Sequence, residues 1–398
     1  MSRLLRSWHP ATGLSFGYVH VARRCRRLLH RKPGSLHSSN VPAAVRSAVP
    51  LAAFTTLRIG GAARWLLTAR TVDDVERAHR WSEDQGVSLF VLGGGSNLVI
   101  ADTGFDGLVL HLDIGGRRYV TDEDDSLVTV GAGEAWDATV AECVERGLAG
   151  LECLSGIPGT VGGTPIQNVG AYGQEVAGSI HRLTVYDRQT RAMDILTGAD
   201  CGFAYRTSRF KKSDAGRFVI CDVTFRLRPS APTTTYPDIV DYLSRGGATS
   251  PSVADVRDAV LAVRGRKGMV LDENDPDTRS VGSFFMNPIV DGREHDRVAA
   301  AAGGPPPAFP VGSGRVKLPA AWLIERSGFR RGEVDGAVGI SSKHTLALIN
   351  RGGATARDVL RFATRIKRGV LDRFGISLRP EPVFVGFGRD DDLEFLQS

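Results

Sequence analysis

No aspartate or glutamate occurs before Asp73. Residues 1–40 instead carry eight cations, Arg3, Arg6, Arg23, Arg24, Arg26, Arg27, Arg31 and Lys32, so the formal net charge of +6 is concentrated at one end. Without those eight, 42 of the 50 cations face 44 anions, and the rest of the chain has a formal charge of −2. A body of that charge is not built to hold a polyanion by general attraction, and nucleic-acid binding is not expected as the main function. Cysteine is scarce. The five thiols, Cys25, Cys143, Cys153, Cys201 and Cys221, form no CxxC pair and leave an odd count. That excludes a paired disulfide framework and a zinc site, so no metal is expected, and it fits small buried hydrophobes in a reducing cytoplasm. No apolar run reaches the roughly 18 residues a membrane helix needs. No Gly-Lys-Ser/Thr phosphate loop is present, and no repeat of solenoid period.

The acid-free segment 1–40 has no clean helical or strand period. Its composition suits an organelle transit peptide or a basic nucleic-acid arm, but also a disordered extension or an unused upstream start. It is set aside from the fold. Three later stretches announce helices. Thr71 with Asp74, Ser252 with Asp255 and Thr355 with Asp358 are capping boxes, and Gly86, Gly265 and Gly375 are the expected ends. Val359, Phe362, Ile366 and Val370 repeat at helical spacing. Short β-rich runs, among them VSLFVL, GLVLHL, SLVTVGAG, RFVICDVTFRL and EPVFVGF, often follow one another directly, which predicts an α+β chain. SAPTTTYPDI (230–239) is expected to be a joining loop and GGPPPAFPVGSG (303–314) a flexible insertion.

Glycine is abundant where cysteine is not. The loop Gly93-Gly94-Gly95-Ser96-Asn97 imitates a dinucleotide fingerprint, but Leu98 stands near where a third glycine belongs, and strands follow instead of a helix. LSGIPGTVGGTPIQNVGAYGQEV (154–176) interleaves glycines with Ser155, Thr160, Thr164, Gln167 and Asn168. Consecutive glycines let backbone N–H groups converge on an anion such as a pyrophosphate. The alternative is a pair of tight turns at sheet corners.

Taken together, FTTLRIGG (54–61), LGGGSNLVI (92–100), GIPGTVGGTPIQNVGAYGQE (156–175), AYRTSRFK (204–211), GSFFMNP (282–288) and RPEPVFVG (379–386) resemble, in order and spacing, the UDP-N-acetylenolpyruvoylglucosamine reductase family. The resemblance covers roughly residues 45–390. It implies an FAD-binding fold of the vanillyl-alcohol-oxidase (PCMH) type with a C-terminal substrate-binding α+β domain. The expected division is an FAD-binding subdomain over 41–115, a second over 116–250 and the substrate domain over 251–398.

The implied reaction uses NADPH and FAD to reduce an enolpyruvyl ether on a UDP-linked amino sugar, in the cytoplasm, by a monomer without a membrane partner. Such a reaction places negative charge on the substrate carboxylate and then needs a proton on the adjacent carbon. The resemblance assigns Arg206 and Glu381 to that charge and Ser283 to the proton. From local sequence alone, Arg206 is equally a surface arginine, Glu381 an edge-strand charge and Ser283 a hairpin residue. Family members often show Leu-Glu-Pro-Glu where this chain has Leu378-Arg379-Pro380-Glu381, so only the second acid is kept. For the cofactor, the resemblance points to Gly93, Gly94, Gly95, Ser96, Asn97, Gly156, Gly159, Gly162, Thr164, Gln167, Asn168 and Gly170. For the substrate it points to Tyr172, Tyr236, Lys267 and Asn287, with Arg58 as a further pocket residue. A related FAD oxidase using oxygen is the competing enzyme reading.

Overall fold

The computed structural model describes residues 44–398; the basic segment 1–40 and the readings attached to it lie outside the described residues. Strands β1 (Val45–Pro50) and β2 (Ala62–Ala69), helix α1 (Val72–Asp84) and strands β3 (Ser88–Leu92), β4 (Leu98–Ile100) and β5 (Phe105–Leu112) open the fold. Four of these strands form one sheet in the order β1-β2-β5-β3, antiparallel at β1 and parallel elsewhere. Its apolar face takes Val75, Ala78 and Trp81 from α1.

Strands β6 (Arg117–Asp122) and β7 (Asp125–Gly131), helix α2 (Trp136–Glu145), the short hairpin β8 (Gly170–Ala171) and β9 (Gln174–Glu175), then β10 (Ile180–Asp187), β11 (Ala192–Thr197) and β12 (Phe218–Leu227) follow. Five of them make an antiparallel sheet, β11-β10-β12-β7-β6. The sequence of β12 explains how that sheet joins its neighbour. Val219 and Cys221 pack with α1 and the first sheet, while Phe218 and Ile220 face the second core. A bulge opposite Thr184 and Val185 reverses the phase, so Val223, Phe225 and Leu227 return to that second core. One strand thus seals two cores.

Helices α3 (Pro237–Arg245) and α4 (Val253–Arg266) pack on each other through Ile239, Leu243, Val256 and Val260. The domain boundary expected at position 250 falls in the turn between them. Strands β13 (Ser280–Ser283) and β14 (Ile289–Val290), helix α5 (Gly292–Ala302), strands β15 (Phe309–Pro310) and β16 (Val316–Lys317), helix α6 (Ala320–Arg326), strands β17 (Val334–Asp335), β18 (Val338–Ile340) and β19 (Ala347–Asn350), helix α7 (Ala356–Phe374), strand β20 (Val383–Val385) and helix α8 (Asp391–Gln397) complete the chain. The sheet β13-β19-β18-β17 packs on α7, which buries Val359, Phe362, Ile366 and Val370 as its spacing requires. Strand β20 leaves this region and pairs in parallel with β4 of the first.

The three capping boxes form as expected at Thr71, Ser252 and Thr355. Helix α4 does not end at Gly265; it runs to Arg266, and Gly268, at φ 65°, makes the left-handed exit. The stretch 303–314 is not wholly irregular, since β15 within it joins β14 and β16 in a small sheet. Cys143, Cys153, Cys201 and Cys221 are buried free thiols.

Candidate active site

The two glycine loops touch. A Cβ on Gly93 would lie 2.7 Å from the Thr160 hydroxyl, and one on Gly94 would lie 2.6 Å from the Gly159 Cα. A Cβ on Gly159 would meet the Ser96 hydroxyl at 2.8 Å. The close approach of one loop to the other leaves no room for side chains at these positions, against backbone at Gly94 and against hydroxyls at Gly93 and Gly159. The pair of loops forms one wall of a cleft of about 900 Å³. Gly93, Gly94, Gly95, Ser96, Asn97, Gly159, Gly162, Thr164, Gln167 and Gly170 all line it.

Gly156 and Asn168 do not line this cleft. The Gly156 N–H donates to Asp137 at 2.6 Å, and the Gly156 Cα packs near Leu261, Val270 and Arg264. Asn168 is 1% exposed; its amide donates to Glu175 at 2.7 Å and accepts from the Ala177 N–H at 3.1 Å. Arg58 also stands apart, half exposed and 4.0 Å from Glu273.

Three distant segments meet beside the loops. Ala204 and Thr207 exchange two backbone hydrogen bonds, which puts Tyr205 and Arg206 at the tip of a tight turn. Ser208 ties that turn to the second glycine loop through the Ile166 carbonyl at 2.6 Å. Arg206 has φ 54°, a left-handed conformation that costs a non-glycine residue roughly 1–2 kcal/mol. Its Nη2 donates to the Gly170 carbonyl at 2.9 Å, and its Nε lies 3.1 Å from Glu381 Oε1, out of line for a hydrogen bond.

Glu381 lies two residues before β20. The Val383 N–H donates to the Asn97 carbonyl at 2.9 Å, and the Asn97 amide reaches Gln167 at 2.7 Å and the Glu381 carbonyl at 3.3 Å. Ser283 ends β13, where Gly282 at φ 73° opens a bulge against β19. The segment carrying Glu381 runs alongside, bridged at Phe285 and Pro380: the Glu381 N–H donates to the Phe284 carbonyl at 2.8 Å and the Met286 N–H to the Arg379 carbonyl at 2.9 Å. Phe284 and Phe285 are buried, while Ser283 is half-buried and lines the cleft. Among the described residues its hydroxyl has no hydrogen-bond partner.

At another part of the cleft Tyr172, Tyr236 and Lys267 come together. Tyr172 and Gly173, at φ 48° and 89°, form the two-residue turn of the β8–β9 hairpin, a backbone of type I′. The Tyr172 ring packs edge to face on Tyr236 at 5.1 Å, and Lys267 Nζ lies 5.8 Å from the Tyr172 centroid. Pro237 is the first residue of α3, which fixes Tyr236 as the residue just before it. Lys267 pairs with Asp238 at 2.7 Å. Asn287 lines the cleft too, although its carbonyl is already engaged, capping α6 at the Ala320 N–H at 2.9 Å.

Sequence reading missed several charged neighbours. Lys211 is in the cleft, 3.4 Å from Gln167 Oε1 and 3.3 Å from the Glu381 carbonyl, and burial pulls its pKa down against the attraction of Glu381. It stands inside a stretch already singled out, AYRTSRFK, but a lysine beside two arginines has the appearance of a solvated charge. Arg264, three residues before Lys267, lines the cleft with its Nε buried and unpaired. Lys317 reaches the Tyr205 ring at 5.1 Å, and His344 completes the wall. No local pattern marks the last two.

The loops fit a pyrophosphate-bearing cofactor. The Thr160 hydroxyl is buried without a partner on this wall, and the glycine surface leaves backbone accessible where any side chain would fill it. Comparison with known proteins agrees. Residues 63–191 match an FAD binding domain, and residues 275–385 match the C-terminal domain of UDP-N-acetylenolpyruvoylglucosamine reductase. The chain is 51% identical over 348 residues to the UDP-N-acetylenolpyruvoylglucosamine reductase of Thermobifida fusca, covering 85% of this chain and 97% of the relative. The protein of that name from Streptomyces coelicolor is 48% identical over 347 residues, covering 85% and 89%. The crystal structure of the Thermus caldophilus reductase superposes with a TM-score of 0.58 at 25% identity, over 86% of this chain and all of that one. The fold is therefore α+β, an FAD-binding fold of the vanillyl-alcohol-oxidase type with a C-terminal domain of the reductase kind, as the resemblance implied.

Proposed function

The chain belongs to the UDP-N-acetylenolpyruvoylglucosamine reductase family and is an FAD-dependent oxidoreductase; from that premise we propose that it reduces the enolpyruvyl ether of UDP-N-acetylglucosamine to UDP-N-acetylmuramate for peptidoglycan synthesis, with NADPH as electron donor. The observation that carries the reading is the meeting, beside the glycine wall, of a guanidinium and a carboxylate 3.1 Å apart with an unpartnered serine hydroxyl on the adjoining strand. Residues 41–115 and 116–250 would hold FAD and 251–398 cover the substrate. A monomeric working unit belongs to the proposal. Among the described residues no helix is long and apolar enough to cross a membrane; a cytoplasmic site of action belongs to the proposal.

Backbone N–H groups of Gly93–Asn97 and of Gly159 and Thr160, with the Thr160 hydroxyl, would hold the FAD pyrophosphate; the N–H groups from Val161 to Thr164 already donate to backbone carbonyls. Bound there, FAD supplies two-electron hydride transfer from NADPH to the vinyl carbon. The chain's own residues handle the charge that results. Arg206 has a planar fork matched to a carboxylate and stays charged when buried, so it would grip the substrate carboxylate and stabilise it as negative charge moves onto it. Lys211 adds a second cation beside Glu381. Ser283 would give its proton to the carbon next to the carboxylate, a transfer made feasible by the strong basicity of the enediolate in a site that Phe284 and Phe285 help keep dry. The electron count closes with one hydride from NADPH and one proton from the hydroxyl, restored from solvent. Tyr172, Tyr236 and Lys267 would take the UDP diphosphate, Lys267 exchanging Asp238 for it, and Asn287 would offer its free amide to the substrate.

The test uses the purified full chain. Bound flavin is expected as a yellow absorbance, with NADPH consumption strictly dependent on the enolpyruvyl substrate. Ser283→Ala should leave flavin reduction by NADPH nearly intact and slow reoxidation by substrate by a factor of about 100 or more. Equal slowing of both half-reactions, or NADPH consumption driven by oxygen alone, would remove the assignment.

A further inference from the structure

Glu152 is fully buried, with no cation paired to it among the described residues. Its charge is met by N–H donors instead. Oε2 accepts the Gly150 N–H at 2.6 Å, and Oε1 accepts both the Thr233 N–H at 2.8 Å and the Gln174 amide at 2.7 Å. Gln174 closes the ring, accepting the Cys153 N–H at 2.8 Å and donating to the Thr233 hydroxyl at 3.1 Å. A buried carboxylate is costly unless its lone pairs are filled, and here they are filled by donors from three separate stretches of chain.

Two of those stretches carry the aromatic pair of the cleft. Gln174 follows the hairpin turn that presents Tyr172. Thr233 lies in the irregular segment 229–235 that ends at Tyr236. Among the described residues, that segment makes its hydrogen bonds to the rest of the protein at Thr233. The hairpin also presses on the segment directly, since a Cβ on Gly173 would lie 2.9 Å from the Thr235 hydroxyl. Glu152 Oε1 thus bridges the two stretches, beside their direct Gln174–Thr233 hydrogen bond, and the tyrosines they carry meet at 5.1 Å.

We infer that Glu152 is a positioning residue for substrate recognition: it holds the Tyr172 hairpin and the Tyr236 segment in register, so that the two rings close as one wall over the diphosphate of the UDP-linked substrate. This rests on the proposed function, which supplies that substrate. Replacing the carboxylate by an amide keeps shape but gives it only one acceptor oxygen for three donors. The effect belongs in substrate affinity rather than in the chemical step.

The experiment is a double-mutant cycle on the FAD-loaded full chain with the enolpyruvyl substrate. Glu152→Gln is expected to raise KM about tenfold with kcat changed less than threefold. Tyr236→Ala raises KM by itself, and adding Glu152→Gln to it should change KM less than twofold, because the residue acts through that wall. Should Glu152→Gln fail to fold, Gln174→Leu is held to the same non-additivity. Multiplying KM effects, or a fall in kcat without a rise in KM, would overturn the inference and leave the function standing. A wild-type protein that ignores the enolpyruvyl substrate would overturn both.

Discussion

His344 is half-buried in the cleft wall, and desolvation there, helped by the nearby Lys267 charge and opposed by Glu325, lowers its pKa to about 4. The ring is therefore neutral through the physiological range. Between pH 6.5 and about 4 the unfolded chain takes up this proton while the folded chain does not. Stability therefore falls as the pH drops through that window. The loss attributable to this group is at most about 3 kcal/mol. Urea unfolding at pH 7 and pH 4.5 should show a smaller acid penalty for His344→Asn than for the parent; an identical penalty would show that the ring titrates freely. Arg206 illustrates another limit of sequence at this scale. Its motif pointed to the cleft, but its left-handed backbone, which aims the guanidinium, is dictated by the Ala204–Thr207 turn and by Ser208, not by anything an arginine signals. Asn168 errs in the opposite direction, a polar residue in a binding-loop sequence whose amide is used up within the interior.

Among the elements, the helices were the most legible. Their capping boxes are local, and each works through a side chain and a backbone N–H three residues away. The glycine loops were only half legible. Their composition indicated backbone exposed to an anion, whereas the contact of one loop with the other depends on residues some sixty positions apart. That contact separates two glycines that look alike in sequence. A methyl on Gly94 meets Gly159 and Thr160 backbone within 3.0 Å, while one on Gly163 meets no protein atom within 4 Å. Gly94→Ala should cost the cofactor-free protein about 1–3 kcal/mol in chemical denaturation. Gly163→Ala should stay within about 0.5 kcal/mol, and any loss of FAD affinity in that variant would reflect the cofactor's own space. Equal destabilisation by both would mean that the loops do not rely on their mutual approach.

At the scale of the whole molecule, the α+β class followed from strands succeeding strands, but the return of β20 to β4 did not. Parallel pairing of three residues across nearly three hundred positions leaves no periodicity to detect. Yet that pairing attaches Glu381 to the first glycine loop through Val383 and Asn97. Removing residues 381–398 strips Val385 from the first core and Leu393 and Leu396 from the last, and it frees the loop. Such a chain is expected to emerge from gel filtration without flavin and with a lowered melting temperature. Retained flavin at normal stoichiometry would show that the loops hold the cofactor unaided.

The same strand sets an order of manufacture. Translation delivers the glycine loops first, then the arginine turn, then the serine, and the carboxylate after all of them. A nascent polypeptide therefore carries the glycine loops, the arginine turn and the serine before the segment that draws them together exists, and the cluster can assemble only once residues 381–385 have been made.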